Sequence, residues 1–299
     1  PPERASEIPP FEAVYPATAG LPPRTVRKFA LVALERTPDL PEWQDGAWLA
    51  REGFPSWREA LALTHAPQGE ADLSPLTRHA RRLAFDELLA HQLAMAQRKA
   101  DRRAVPAPAI AKGDIAPRIE AALPFALTGA QQRALVDVRG DLAAGERMSR
   151  LIQGDVGSGK TVVAMLAMAE VAAAGRQCAL MAPTEILARQ HFETLAGPLS
   201  DQGVAAVLLT GRDKGLARAE KLRALASGAV KVAVGTHALF QDDVAFQTLQ
   251  LAVIDEQHRF GVAERQRLQA KGEAVHLIAM SATPIPRTLE LTVYGDLDV

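Results

Sequence analysis

The sequence predicts an α/β fold, a doubly wound parallel sheet flanked by helices and preceded by a smaller, mainly helical segment. Three observations predict it. Six short apolar runs follow residue 127, with stretches of helical character between them. A glycine-rich stretch, residues 154–161, stands where the first of these runs gives way to a helix. A later apolar run, residues 251–254, ends in the acidic pair Asp255-Glu256, as strands do at the ligand-binding edge of open α/β sheets.

The elements follow in order. Residues 1–23 hold seven prolines and read as an irregular lead-in. Residues 24–36 predict a short helix with Val26, Phe29, Ala30 and Ala33 on one face; Pro38 and Pro41 stop it. A second short helix is expected over residues 56–63, with Trp57, Ala60 and Leu61 inward. Ser74-Pro75 then pairs an N-cap residue with proline at the first helical position. No Gly or Pro follows until after residue 103, and Leu76, Ala80, Leu83, Leu88 and Met95 recur at helical intervals, which predicts one long amphipathic helix over about 75–103. That helix carries seven basic and three acidic residues; they form either a solvated face or a contact to phosphates. Residues 104–124 hold four prolines, so 104–122 is expected to be a linker between a connector (1–103) and a domain over 123–299. In that domain, strands are expected at 150–153, 177–182, 204–209, 231–235, 251–254 and 275–279, with helices such as 161–174 and 215–226 between them. Most of these runs are almost continuously apolar, as strands covered on both faces must be.

Composition excludes several classes. A length of 299 residues is a prior for two domains and allows a sizeable core. With 48% hydrophobic and 23% charged residues, the chain is neither wholly disordered nor collagen-like. One cysteine, Cys178, excludes an internal disulfide framework or a cysteine zinc cluster and fits a reducing cytoplasm. No apolar run is long enough to cross a membrane, so no membrane partner is expected, and Pro1-Pro2-Glu3-Arg4 does not read as a signal peptide. A net charge of -1 argues against bulk attraction to nucleic acid but leaves room for local contacts.

Two motifs carry chemistry. Gly154-Asp155-Val156-Gly157-Ser158-Gly159-Lys160-Thr161 has the P-loop spacing. Glycines let a backbone wrap closely round phosphates, and the amides and following helix N-terminus face them with positive charge. Lys160 supplies a full charge for the β- and γ-phosphates, and Thr161 a hydroxyl ligand for Mg²⁺. About 95 residues on, Asp255 is placed to hold Mg²⁺ through water and Glu256 to orient the attacking water.

With Ala182-Pro183-Thr184-Glu185-Ile186-Leu187-Ala188, Asp255-Glu256-Gln257-His258-Arg259-Phe260-Gly261-Val262 and Met280-Ser281-Ala282-Thr283-Pro284-Ile285-Pro286-Arg287, these residues resemble the superfamily-two helicases, and within them the RecG group. The resemblance is strongest over residues 120–299 and extends to the long helix around Arg82-Leu83-Ala84-Phe85-Asp86-Glu87. It implies a RecA-like first motor domain, with ATP and Mg²⁺ as cofactors, of an ATP-dependent helicase that remodels branched or forked DNA in recombination and repair. It further implies that Gln131, with Gln132 a rival, contacts adenine. Pro183-Thr184, Thr210-Gly211 and Thr236-His237 would grip the nucleic-acid backbone, without reading bases. Gln257 and His258 would sense the γ-phosphate and relay it to Ser281 and Thr283. A bacterial cytoplasmic, nucleoid-associated monomer with a contact to single-strand-binding protein also follows from the resemblance. So does a second motor domain after residue 299, with its arginine finger, and a wedge domain before residue 1; the 299 residues carry no finger motif. A missing finger is worth about 10³–10⁵ in turnover, so poor hydrolysis is expected of this segment by itself.

Three other readings stand beside this one. A transcription-coupled repair translocase has a related motor, but Gln257-His258 and the long helix fit the RecG group better. A silent nucleotide- or DNA-binding module would have lost Lys160 or Glu256, and both are present. A P-loop phosphotransferase has no use for Ser281-Ala282-Thr283 or Thr236-His237.

Overall fold

The structure is a computed structural model, and it describes residues 13–16, 19–67, 69–256, 267–282 and 297–298. The chain divides into two compact units, Pro1–Ala94 and Met95–Val299.

The first unit is helical. α1 (Pro23–Glu35), α2 (Gly46–Glu52) and α3 (Trp57–His65) precede the start of α4 (Arg78–Arg103). α3 opens with a capping box, Ser56 and Glu59 each bonding the other's backbone amide. α2 was not expected, because seven residues give too little periodicity to read. Its ends are nevertheless marked, by the Asp45 side chain on the Trp48 amide and by Gly53 in the left-handed conformation.

α4 departs from expectation in two ways. It begins at Arg78 rather than near Ser74: a 3-10 turn occupies Glu70–Leu73, the Ser74 hydroxyl accepts from the Leu76 amide, and Thr77 Oγ1 accepts from the Ala80 amide. Its expected apolar stripe is also covered only in part: Met95 is buried and Ala80 and Leu83 are half-buried. Leu76 and Leu88 are exposed, whereas Arg82 is 1% exposed. The guanidinium is buried because it is fully paired. Its Nη2 donates to Glu42 at 2.5 Å, Nε to Asp86 at 2.9 Å and Nη1 to the Pro55 carbonyl at 3.2 Å. The Arg82 hydrogen bond holds the Glu42 carboxyl below its usual range. In the same unit, Trp48, Phe54 and Phe85 pack on one another edge-on or tilted.

The second unit is built on a six-stranded parallel sheet, β1 (Ser149–Gln153), β2 (Gln177–Met181), β3 (Ala206–Leu209), β4 (Val232–Gly235), β5 (Leu249–Ile254) and β6 (His276–Ser281), in the order β1-β6-β5-β2-β4-β3. All six expected strands are present. Their side chains alternate between two cores. Cys178, Leu180, Val232, Val234, Leu251 and Val253 face one; Ala179, Met181, Ala233, Ala252 and Ile254 face the other. Burial on both faces is why the strands read as continuous apolar runs. It also pushes the Cys178 thiol above its ordinary pKa, leaving it inert.

The helices of this unit include α5 (Ile115–Ala122), α6 (Gly129–Ala143), α7 (Lys160–Ala173), α8 (Glu185–Ser200) and α9 (Gly215–Ala226). α7 is buried without a break from Val163 to Ala172. It carries one acid, Glu170, which is 2% exposed and accepts from Arg139 Nε at 2.7 Å and from the Gly113 amide at 2.8 Å. The stretch 104–122, expected as a linker, therefore packs as part of this unit. Ile110, Ala116 and Ile119 join the main core, and the only room at Gly113 is for hydrogen, since a Cβ there would lie 2.5 Å from Ala173 Cβ. The division of the chain falls at Ala94/Met95 instead.

Two residues of the basic end of α4, Lys99 and Arg103, are engaged within the protein. Asp298 bridges to β1 through the Leu151 amide and the Ser149 carbonyl, and its carboxylate takes Lys99 at 2.5 Å and Arg103 at 2.9 Å. Burial would raise the Asp298 pKa, but Lys99 and Arg103 outweigh it and lower it.

Candidate functional site: the carboxyl edge of the sheet

The P-loop spans the gap between β1 and α7. The amide of Gly154 donates to the carbonyl of Ser281 at 3.2 Å, so the loop leaves the sheet beside the end of β6. Gly157 and Gly159 hold φ values of 79° and 80°, a region where other L-residues cost energy. At Gly159 the requirement is double, because a Cβ would also fall 2.2 Å from Gln131 Nε2. Lys160 opens α7, and its ammonium donates to the carbonyls of Gly154 at 2.5 Å and Asp155 at 2.9 Å. A loop held round a lysine ammonium at a helix N-terminus, with the Thr161 hydroxyl following, is a donor set suited to a polyphosphate and a hard cation.

Across β6, β5 ends at Ile254 and is followed by Asp255 and Glu256. Asp255 is 8% exposed; its amide donates to the Met181 carbonyl at 2.9 Å, and its Oδ1 accepts from the Glu256 amide at 3.0 Å. Glu256 sits at φ 49°, one of two non-glycine residues in the left-handed region among those described. Such strain costs on the order of 1–3 kcal/mol and gathers at functional sites.

Gln131, expected at adenine, is engaged at both ends. Its Oε1 accepts from the Thr128 amide at 2.8 Å in a capping box, and its Nε2 donates to the Ser158 carbonyl at 2.9 Å. Its neighbour Gln132 is exposed and reaches the Leu127 carbonyl at 3.4 Å.

The strand-end residues after β2, β3 and β4 divide by exposure. Thr184 is exposed and caps α8 through the Leu187 amide, and Pro183 beside it is half-buried. Gly211 and His237 are exposed. Thr210 and Thr236, by contrast, are 4% and 2% exposed. Thr210 packs against Asp213, which accepts from its amide at 2.7 Å and from Lys221 at 2.5 Å. The Thr236 hydroxyl is enclosed and has no hydrogen-bond partner among the described residues. At these two positions, the surface offers the flanking Gly211 and His237 rather than a threonine hydroxyl.

The model of the DEAD/DEAH box helicase family matches residues 128–292, more than half of the chain. The chain belongs to the DEAD/DEAH box helicase family. Relatives within this helicase family include the ATP-dependent DNA helicase RecG of Escherichia coli strain K12, 44% identical over 95% of this chain and 42% of its own length. The RecG protein of Bacillus subtilis is 42% identical over 97% of this chain and 42% of its own length. A solved structure of RecG bound to a three-way DNA junction matches 96% of this chain and 38% of that one, with a TM-score of 0.70 at 37% identity. The RecG resemblance read in the sequence is borne out. The chain spans about two-fifths of the length of these curated relatives.

In this helicase-family domain, Gln257, His258 and Thr283 lie outside the described residues. One residue at the site went unassigned from sequence. His191 Nε2 donates to Asp255 Oδ2 at 2.7 Å. No metal-ligand spacing marks this histidine, and its relation to Asp255 exists only once β5 and β2 are neighbours. Among the described residues, no helix is long and apolar enough to cross a membrane.

Proposed function

We propose that this chain is the ATP- and Mg²⁺-binding first motor domain of a DNA helicase that remodels branched or forked DNA in recombination and repair. The observation that carries the reading is the Gly154–Ser281 hydrogen bond, which seats the P-loop beside the strand that separates it from Asp255 and Glu256. Family membership supports it, as do relatives named ATP-dependent DNA helicase RecG and a related structure bound to a three-way DNA junction.

Lys160 and the amides of residues 154–161 would hold the nucleotide phosphates, and Thr161 and Asp255 the cation. When bound, Mg²⁺ would neutralise charge on the phosphates. Lys160 exchanges its two carbonyl partners for phosphate oxygens. Glu256 orients and polarises water at the edge of the sheet. Gln131 reaches adenine by giving up one of its two hydrogen bonds, or leaves that contact to Gln132. Gln257 and His258 report the phosphate state to Ser281 and Thr283. Pro183, Thr184, Thr210, Gly211, Thr236 and His237 line the polynucleotide path, with Thr184, Gly211 and His237 as the exposed members. A monomer at the bacterial nucleoid, in contact with single-strand-binding protein, rests on the family resemblance; the lone buried thiol supports a reducing cytoplasm.

The test has two arms. This chain should bind a fluorescent ATP analogue, and Lys160→Ala should abolish the binding; undiminished binding by that variant overturns the site. A protein of the relatives' length carrying this chain should unwind forked DNA, and Glu256→Gln should abolish unwinding. Unwinding at the wild-type rate overturns the role of Glu256. Displacement of stalled RNA polymerase without fork unwinding would replace this reading with a transcription-coupled one.

A further inference from the structure

The strand order divides the carboxyl edge into two halves. The P-loop, Ser281 and the Asp255-Glu256 pair follow or end β1, β6 and β5. Thr184, Thr236 and Thr210 follow β2, β4 and β3. The seam between the halves is the β5–β2 pair. Two hydrogen bonds cross it at the edge: the Asp255 amide to the Met181 carbonyl, and His191 Nε2 to Asp255 Oδ2 at 2.7 Å.

We propose that His191 is a positioning residue for Asp255, so that α8 sets the orientation of the carboxylate at the end of β5. This rests on the nucleotide-site reading above. The Asp255 carboxylate is held at both oxygens, Oδ1 by the Glu256 amide and Oδ2 by His191, which leaves it one orientation. Each oxygen keeps a further lone pair for a cation or its bound water. Both side chains are 11% exposed, so water competes poorly for the bond. The ring itself is carried by α8, two turns beyond its Thr184 cap. The start of α8 is tied in turn to the loop after β3, since Arg212 Nε meets Glu185 at 2.7 Å. Asp255 is thus oriented by a helix that begins among the strand-end residues of the other half. Residues that orient a metal-ligating carboxylate in this way typically change metal affinity or activity by about 10–100-fold.

The test measures the affinity of this chain for a fluorescent, non-hydrolysable ATP analogue, in EDTA and in Mg²⁺. His191→Phe keeps the ring and removes its donor. It should bind the metal-free analogue within about twofold of wild type while its gain in affinity on adding Mg²⁺ falls by about tenfold. His191→Gln, whose Nε2 can take the place of the histidine donor, should recover most of that gain. Full Mg²⁺ gain in His191→Phe overturns the proposal. So does a parallel loss of both affinities, which marks a purely structural role. If the Phe variant does not fold, a His191→Gln variant that folds yet lacks the Mg²⁺ gain overturns it, and one that keeps the gain upholds it. Lys160→Ala in the same assay separates the two claims: if it binds as well as wild type, the site reading fails, whatever His191 does.

Discussion

Arg139 Nε meets Glu170 Oε1 at 2.7 Å beneath the surface of the second unit, on a helix whose other side chains from Val163 to Ala172 are apolar or small. The second carboxylate oxygen takes the Gly113 amide. One buried acid therefore joins α6, α7 and the stretch ahead of α5.

Glu170→Leu leaves the Gly113 amide without its acceptor and the Arg139 guanidinium with only Glu120, 4.0 Å away. Breaking one side of a buried pair costs about 3–5 kcal/mol, and a chemical denaturation series should show a loss of that size. The double variant Glu170→Leu/Arg139→Met should recover part of it, because neither charge of the Arg139–Glu170 pair is then left buried without the other. A Glu170→Leu variant as stable as wild type would contradict the assignment.

His276 supplies a pH dependence. It is 0% exposed, and the Met148 amide donates to its Nδ1 at 3.1 Å. Burial lowers its pKa to about 4 from an ordinary 6.5. The folded state thus favours the neutral ring, so the unfolded chain binds more protons between these values. Stability from this group is full above pH 6.5 and is lost as pH falls toward 4, by about 3 kcal/mol. His276→Asn keeps an acceptor for Met148 without titrating. Its unfolding free energy should fall less steeply between pH 6.5 and 4 than that of wild type.

In the helical unit, Arg82→Ala removes the partner of Glu42 and Asp86 and opens a void. A loss of about 3 kcal/mol or more is expected, read by thermal unfolding. Arg82→Lys should restore little, because one ammonium cannot span the four acceptors that the guanidinium fork reaches.

At the P-loop, Gly159→Ala meets two obstacles, a positive φ and the Gln131 amide. The backbone term alone is about 1–2 kcal/mol, equivalent to a few degrees in Tm for a domain of this size. Weaker nucleotide binding should accompany it, since the Gln131–Ser158 bond must move. Pairing the change with Gln131→Ala should relieve the clash and leave only the φ cost; an unchanged penalty in the double variant would refute the steric part.

Much of this protein was legible from local sequence. The six strands, the helices around 161–174 and 215–226, and the two acidic and glycine-rich motifs appear where short-range periodicity and residue type placed them. Burial on both faces writes itself into each strand separately, and a P-loop needs its glycines and lysine whatever surrounds it. Other features belong to the tertiary structure. The sequence lists strands in the order they are made, but crossover connections put β6 between β1 and β5 and set β2 against β5, which splits the edge into two halves and brings His191 to Asp255. Arg82 reads as a surface charge until Glu42, Asp86 and the Pro55 carbonyl surround it, and prolines at 104–124 read as a linker until Glu170 and Ala173 receive Gly113. Pairing of a buried charge is a property of residues distant in the chain, and only the folded arrangement of helices and strands supplies the partner.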